Sequence, residues 1–321
     1  MDLIYMNSSK EDVGVLLDYE LDMAFGKDEN NFECKLQANA HCCEAGYFLY
    51  MEGTEYGGIV DGIRNDTANS EVTYSGRTWH GILNSKVIQP DSGKAYLTVS
   101  GEANAVIGAL LERMTLTSLF QASTEVSGLT ISSYQMPRYI AGYDGISKML
   151  DTVGAKLKFT FSGGMVILSA VPKYNYANDE EFDSDLVDFK IQKNYKTVNH
   201  LICLGSGELE NRMVIHLYAD ASGNISRTQT LFGADEHAAV FNYSNVESEE
   251  ELIKEGTAEL LALWEQNKLE INFGDDSDSY DVGDVVGAYD NVTNISVIAT
   301  ITKKIVAIQD GYITISYEVG E

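Results

Sequence analysis

Tyr74-Ser75-Gly76-Arg77-Thr78-Trp79-His80-Gly81-Ile82-Leu83-Asn84-Ser85-Lys86-Val87-Ile88-Gln89-Pro90 is the stretch on which the reading of this chain turns. Val72-Thr73-Tyr74 leads into it with the alternation of a strand, and Ser75-Gly76 reads as a break. Trp79, Ile82 and Leu83 then recur at spacings of three and four, which sets three large apolar groups on one face of a short helix. The spacing therefore predicts a strand running into a docked helical turn. Trp79 is expected in the core, since burying an aromatic ring contributes more than almost any other burial.

Upstream of this corner the chain reads as short strands. Val13-Gly14-Val15-Leu16-Leu17, the Leu21, Met23, Phe25 alternation, Phe32 to Leu36 and Tyr47 to Met51 are separated by turn residues such as Asp28-Glu29-Asn30-Asn31. Such spacing suggests a small β-barrel or sandwich. Downstream of Pro90 the period changes. Val106, Ile107, Leu110, Leu111 and Met114 share a helical face, with Ser100 placed to cap its start. A second helix carries Tyr143, Ile146, Met149, Leu150 and Val153, with Gly154 as its stop. Leu157, Phe159 and Phe161 alternate into a Ser162-Gly163-Gly164 turn, so the middle of the chain reads as an α/β insertion.

Lys173 to Asp185, rich in Asn, Asp, Glu and Tyr, is the expected linker. Strands return beyond it, with turns at Asp220 to Asn224 and at Asp310-Gly311. One helix interrupts them, opened by the capping box Ser248-Glu249-Glu250-Glu251 and carrying Leu252, Ile253, Leu260, Leu263 and Trp264 on its apolar face. The expected fold class is α+β, mainly β. It comprises a first β-barrel-like domain over 1–90, an α/β insertion over 91–180, and a second β-barrel-like domain with one inserted helix over 181–321.

At 321 residues the chain can bury about three quarters of its unfolded surface. Its 44% hydrophobic and 22% charged residues are ordinary for a globular protein and exclude a disordered or fibrous one. Forty-nine acidic residues against 22 basic give a formal charge of −27, which disfavours stable nucleic-acid or anionic-membrane binding. No apolar run approaches about 18 residues and no basic region precedes one, so neither a membrane anchor nor a leader is expected. Cys34, Cys42, Cys43 and Cys203 form no disulfide framework and read as buried free thiols of a chain made in a reducing cytosol.

Three segments carry a family resemblance. The Gly76-Arg77-Thr78-Trp79 stretch with its following Gly81-Ile82-Leu83 and Val87-Ile88-Gln89-Pro90 resembles one found in phage tail hub proteins. Val198 to Leu209, with Arg212 to Tyr218, looks like the second barrel of the same family. Asp281-Val282-Gly283-Asp284-Val285-Val286-Gly287-Ala288-Tyr289-Asp290 is similar to the valine-glycine-aspartate-x-valine turn of late-control-protein-D-like hub barrels. The resemblance implies a barrel, insertion, barrel layout and a virion structural protein at the tail tip, assembled in the host cytoplasm. It further implies a homotrimeric ring closing the distal end of the tail tube. Its partners would be the distal tail protein, the tape-measure protein and tail fibre or receptor-binding proteins.

No enzymatic motif stands beside this. A G-x-S-x-G elbow, a Walker A loop, a G-x-G-x-x-G fingerprint and H-E-x-x-H are all absent from the sequence. Cys203 lies three residues from His200, and residues three apart on a strand point to opposite faces. His41-Cys42-Cys43-Glu44 lacks a second ligand pair for zinc. The run Asp275-Asp276-Ser277-Asp278-Ser279-Tyr280-Asp281 departs from a calcium loop, with Tyr280 where an oxygen ligand belongs, and reads as a solvated turn whose acids would face the lumen of a ring. No catalytic, cofactor-binding or metal-ligating residue is assigned, and no cofactor is expected. The alternatives are a carbohydrate-binding adhesin of the tail tip and a cell-wall hydrolase using paired acids.

Overall fold

The computed structural model describes residues 2–178, 181–183, 189–192, 197–244, 246, 248–264, 268–273 and 280–320. Strands Leu3–Met6, Asp12–Leu16, Glu20–Gly26, Asn31–Gln37, Phe48–Tyr50, Gly57–Asp66 and Glu71–Thr78 pair antiparallel in one sheet. Asn31–Gln37 is typical of them, buried at Phe32, Cys34 and Leu36 and exposed between, the period of two that lets one face pack while the other meets water.

Hydrogen bonding carries this sheet across the chain. Ile295–Gln309 pairs with Glu20–Gly26, from Lys303 opposite Gly26 to Ile308 opposite Leu21. Tyr312–Gly320 pairs in turn with Ile295–Gln309. Asp310 and Gly311, at φ 53° and 80°, make the two-residue turn between them, the left-handed geometry that matches strand twist. Segments that the sequence assigns to separate domains thus contribute to one sheet and one core, in which Phe25, Phe32 and Tyr74 pack with Val286, Val306 and Tyr317. The fold is α+β and mainly β.

The corner forms with one local difference. The strand does not break at Ser75-Gly76; it continues to Thr78, with Gly76 paired to Phe32 on one side and Val60 on the other. A Cβ at position 76 would collide with the Ile59 carbonyl oxygen, so glycine here permits close approach of two backbones rather than a turn. Helix α1, Trp79–Asn84, follows directly.

Helices α2, Ala103–Arg113, and α3, Gly142–Asp151, pack with the hairpin Ala155–Ser162 and Met165–Pro172 around a second core. Gly163 and Gly164, at φ 60° and 78°, turn that hairpin. The cap of α2 is Glu102, whose Oε2 accepts from the Ala105 N–H at 2.8 Å. Ser100 lies instead inside the strand Thr98–Glu102, where pairing with Thr130–Gln135 holds it extended.

A third core sits between α4, Glu249–Trp264, and a four-stranded sheet of Ile225–Ser226, Val214–Ala219, His200–Leu204 and Ala238–Asn242. The Ser248 hydroxyl accepts from the Glu251 N–H at 3.4 Å, as the capping box predicts. Gly256 lets the helix sit close, since a Cβ there would lie 2.5 Å from Cys203 Sγ. The expected linker falls partly outside the described residues, and its described part is tied down: Tyr174 accepts from the Val285 N–H at 2.9 Å. Among the described residues no helix is long and apolar enough to cross a membrane.

Candidate functional site

The corner and the joint beneath it hold the insertion to the main sheet. Thr78 Oγ1 caps α1 by accepting from the Gly81 N–H at 3.3 Å, which fixes the direction of Trp79. The Trp79 ring is fully buried, stacked on Phe161 at 5.4 Å and 9° and beside Phe48 at 6.1 Å. Gly57 makes room for it, because a Cβ there would lie 2.6 Å from the indole. Its Nε1 has no hydrogen-bond partner among the described residues. Arg77 points the other way. Its guanidinium grips Asp61 in a two-pronged pair with both contacts at 2.8 Å, and reaches Ser85 Oγ at 3.1 Å.

Below the corner lies an ionic joint. Lys156 on the insertion hairpin, 9% exposed, places Nζ 2.7 Å from Asp281 and 2.6 Å from Asp284. Asp284 is fully buried and accepts twice more, from the Tyr174 N–H at 2.9 Å and the Asp281 N–H at 3.1 Å. One carboxylate therefore ties together the insertion, the descending chain and the turn into Val285–Asp290. Buried charges persist only when paired and hydrogen-bonded in this way.

A second pair stands nearby. Lys304 Nζ lies 2.9 Å from Glu55 Oε1, over the Tyr56 ring at 5.3 Å. Burial acts to lower the ammonium pKa, but Glu55 outweighs it and holds Lys304 above its ordinary range. His80 completes the joint, its ring 3.7 Å from Phe159 and 4.7 Å from Phe25. Burial, with the Lys304 charge adding to it, pushes the imidazole down to about 3, so His80 is neutral. Glu55, His80, Phe159, Asp281 and Lys304 line a cavity of about 240 Å³. Of these, Lys304 is paired with Glu55 and Asp281 with Lys156, and Lys158 lines the cavity beside them.

The remaining sequence candidates separate. Cys203 is buried against α4 while His200 lies on the other face of the same strand, as the spacing predicts. Cys34, Cys42, Cys43 and Cys203 are free thiols, and burial pushes Cys34 up to about 12, which leaves it protonated and inert. The Tyr74 hydroxyl accepts from the Cys42 and Cys43 N–H groups at 2.9 and 3.1 Å. Asp275, Asp276 and Asp278 lie outside the described residues; Asp281 belongs to the joint. Among the described residues no group of three His, Cys, Asp or Glu is placed to hold a metal ion.

Sequence reading missed one cluster. His200 Nδ1 lies 2.6 Å from Glu236 Oε1 and its Nε2 lies 2.8 Å from His216 Nδ1, with Tyr218 stacked at 4.4 Å. Sixteen positions separate the two histidines, and only the register that sets Ile202 opposite His216 and His200 opposite Tyr218 brings them together.

The architecture as a whole is that of phage and prophage tail proteins. The 43 kDa tail protein of prophage MuSo2 from Shewanella oneidensis superposes with a TM-score of 0.60 at 11% identity, covering 99% of this chain and 98% of that one. A tail protein from Neisseria meningitidis MC58 gives 0.55 at 12% identity, over 100% and 96% of the two chains. The prophage tail protein gp18 from Listeria monocytogenes EGD-e gives 0.52 at 13% identity, over 99% and 94%. No protein-family model matches the chain, and no curated protein matches it. At such identities it is the fold that is shared, and function must be argued separately.

Proposed function

We propose that this chain is a structural tail protein, a hub that closes the distal end of a phage or prophage tail tube as a ring of three copies. The observation that carries the reading is the whole-length likeness to tail proteins, with nearly all of both chains aligned in each comparison. The three resembling segments support it. So does the strand Asp12–Leu16, which among the described residues pairs on one side only and whose Val13 and Val15 are half exposed, an edge that a partner strand would cover.

The work of such a hub is geometric. The corner at Trp79 and the Lys156–Asp284 joint fix the insertion, and with it the angle at which one copy meets the next. The distal tail protein, the tape-measure protein and fibre proteins are its proposed neighbours. The acidic balance suits a lumen through which DNA must slide without adhering.

Co-expression with the distal tail protein from the same prophage, followed by mass measurement and negative-stain microscopy, tests this. A complex containing a three-copy ring is expected. A chain that stays monomeric with that partner present would refute the hub. Clearing of peptidoglycan in a zymogram, or saturable binding on a glycan array, would replace it with the hydrolase or the adhesin.

A further inference from the structure

At one end of the main sheet, where the Asp310-Gly311 turn meets the strands Leu3–Met6, Asp12–Leu16 and Asn31–Gln37, lies a cavity of about 540 Å³. Its size falls within the roughly 300–1,000 Å³ of sites that take a ligand. The floor is the end of the first core, formed by the buried side chains of Leu3, Leu16, Leu36 and Ile308. The rim is of the opposite character. Asp2, Asp18, Glu20, Glu71 and Asp310 stand around it, with Lys35 as the only cation in the described lining. That lysine is paired with Glu20 at 3.8 Å, while Asp2, Asp18, Glu71 and Asp310 have no ion-pair partner among the described residues.

We infer that this cavity docks a basic, partly apolar segment of a different protein. Charge complementarity chooses the sign. Five carboxylates against one ammonium repel each other, and the apolar floor beneath them, low in dielectric, concentrates their field. A cation at the rim relieves that repulsion. A chain of formal charge −27 is a poor source of one, which disfavours a second copy as the occupant.

The floor chooses the rest of the occupant. Leu17, 74% exposed, adds open apolar surface to the lining, so an apolar group beside the cation is covered as well. Alternating apolar and basic side chains, or the long stems of lysine and arginine, meet both demands. With Asp2, Leu17, Asp18, Glu20 and Asp310 all exposed, the mouth is wide and the occupant is held at a rim rather than enclosed. That suits a protruding protein segment better than a small molecule, most of whose surface a ligand pocket buries. The inference goes beyond the ring of three: the occupant is another chain, and the copy number of this one does not decide it.

Calorimetric titration of the full chain at low salt with a capped hexapeptide of alternating leucine and lysine tests this. Spermine serves as a cation without apolar side chains, and a leucine–glutamine hexapeptide as an apolar peptide without charge. The leucine–lysine peptide is expected to saturate a single site and the two controls to bind at least about tenfold more weakly. Asp18→Asn with Asp310→Asn should weaken the peptide at least about fivefold, the factor that one unit charge at about 4 Å contributes in water. Both positions have left-handed backbone, at φ 52° and 53°, which asparagine adopts as readily as aspartate, so an unchanged melting temperature is expected alongside. Glu208→Gln with Glu250→Gln, exposed carboxylates near the third core, removes the same charge and should leave binding as it is. Equal losses in the two double variants would reduce the attraction to overall charge and overturn the cavity. Spermine or the leucine–glutamine peptide binding as tightly as the leucine–lysine peptide would overturn the two-part chemistry of the occupant. Self-association abolished by Asp18→Asn with Asp310→Asn would give the cavity to a second copy and overturn the proposal too.

Discussion

Replacing Trp79 tests whether the corner is core or surface. The indole is fully buried and sandwiched by Phe161 and Phe48, so Trp79→Ala deletes a large ring from a site whose walls are other aromatics and cannot collapse inward. Truncations of this kind cost about 3–5 kcal/mol through lost transfer energy and the residual cavity. Trp79→Phe separates packing from polarity. It keeps a ring in the stack and removes an Nε1–H that has no partner among the described residues, a group whose burial costs about 1–3 kcal/mol. The lost volume and the relieved donor oppose each other, and a net change within about 1.5 kcal/mol is expected. Urea unfolding followed by circular dichroism, with Trp264 fluorescence reporting on α4 separately, gives both values. If Trp79→Ala unfolds at the wild-type midpoint, or if Trp79→Phe is as damaging as Trp79→Ala, the packing account of the corner fails.

Asp284→Ala should cost about 3–5 kcal/mol, because it strands the Tyr174 and Asp281 N–H groups and removes one of two partners of a buried ammonium; Asp284→Asn, which keeps an acceptor for Tyr174, should cost less, and equal midpoints would deny the joint its role. Stability should fall as pH drops from about 6.5 toward 3. The folded His80 titrates near 3 against 6.5 unperturbed, so the unfolded chain takes up this proton first. His80→Phe should flatten that part of a pH–stability curve, and an unchanged slope would show that another group governs it. Glu102 stays ionised to about 2, burial opposing but hydrogen bonds from Ser127 and the Ala105 N–H prevailing, so Glu102→Gln should loosen the start of α2 above about pH 4.5 and make no difference near pH 2, as read by amide exchange. Arg77→Ala should cost no more than about 1 kcal/mol, since the pair with Asp61 is about 40% exposed on both sides; a larger loss would make Arg77 part of the core.

Local physics was legible in the sequence. Period-two alternation located Asn31–Gln37 and the insertion hairpin, period 3.6 located α2, α3 and α4, and turn chemistry located Asp310-Gly311, because each depends on residues within one turn or one strand of each other. The Trp79, Ile82, Leu83 spacing gave the corner for the same reason. Gly76 shows the limit: glycine signals a turn and a close backbone approach alike, and only the neighbouring strands decide between them. Likewise, no local pattern states that Glu20–Gly26 pairs with Ile295–Gln309, that Lys156 finds Asp284, or that His200 meets His216. Those contacts span 16 to some 280 positions. The sequence by itself determined which segments would be strands and helices and which of their faces were apolar; which face covers which, and which charges share a buried joint, followed only from the long-range pairing that closes loops no local rule encodes.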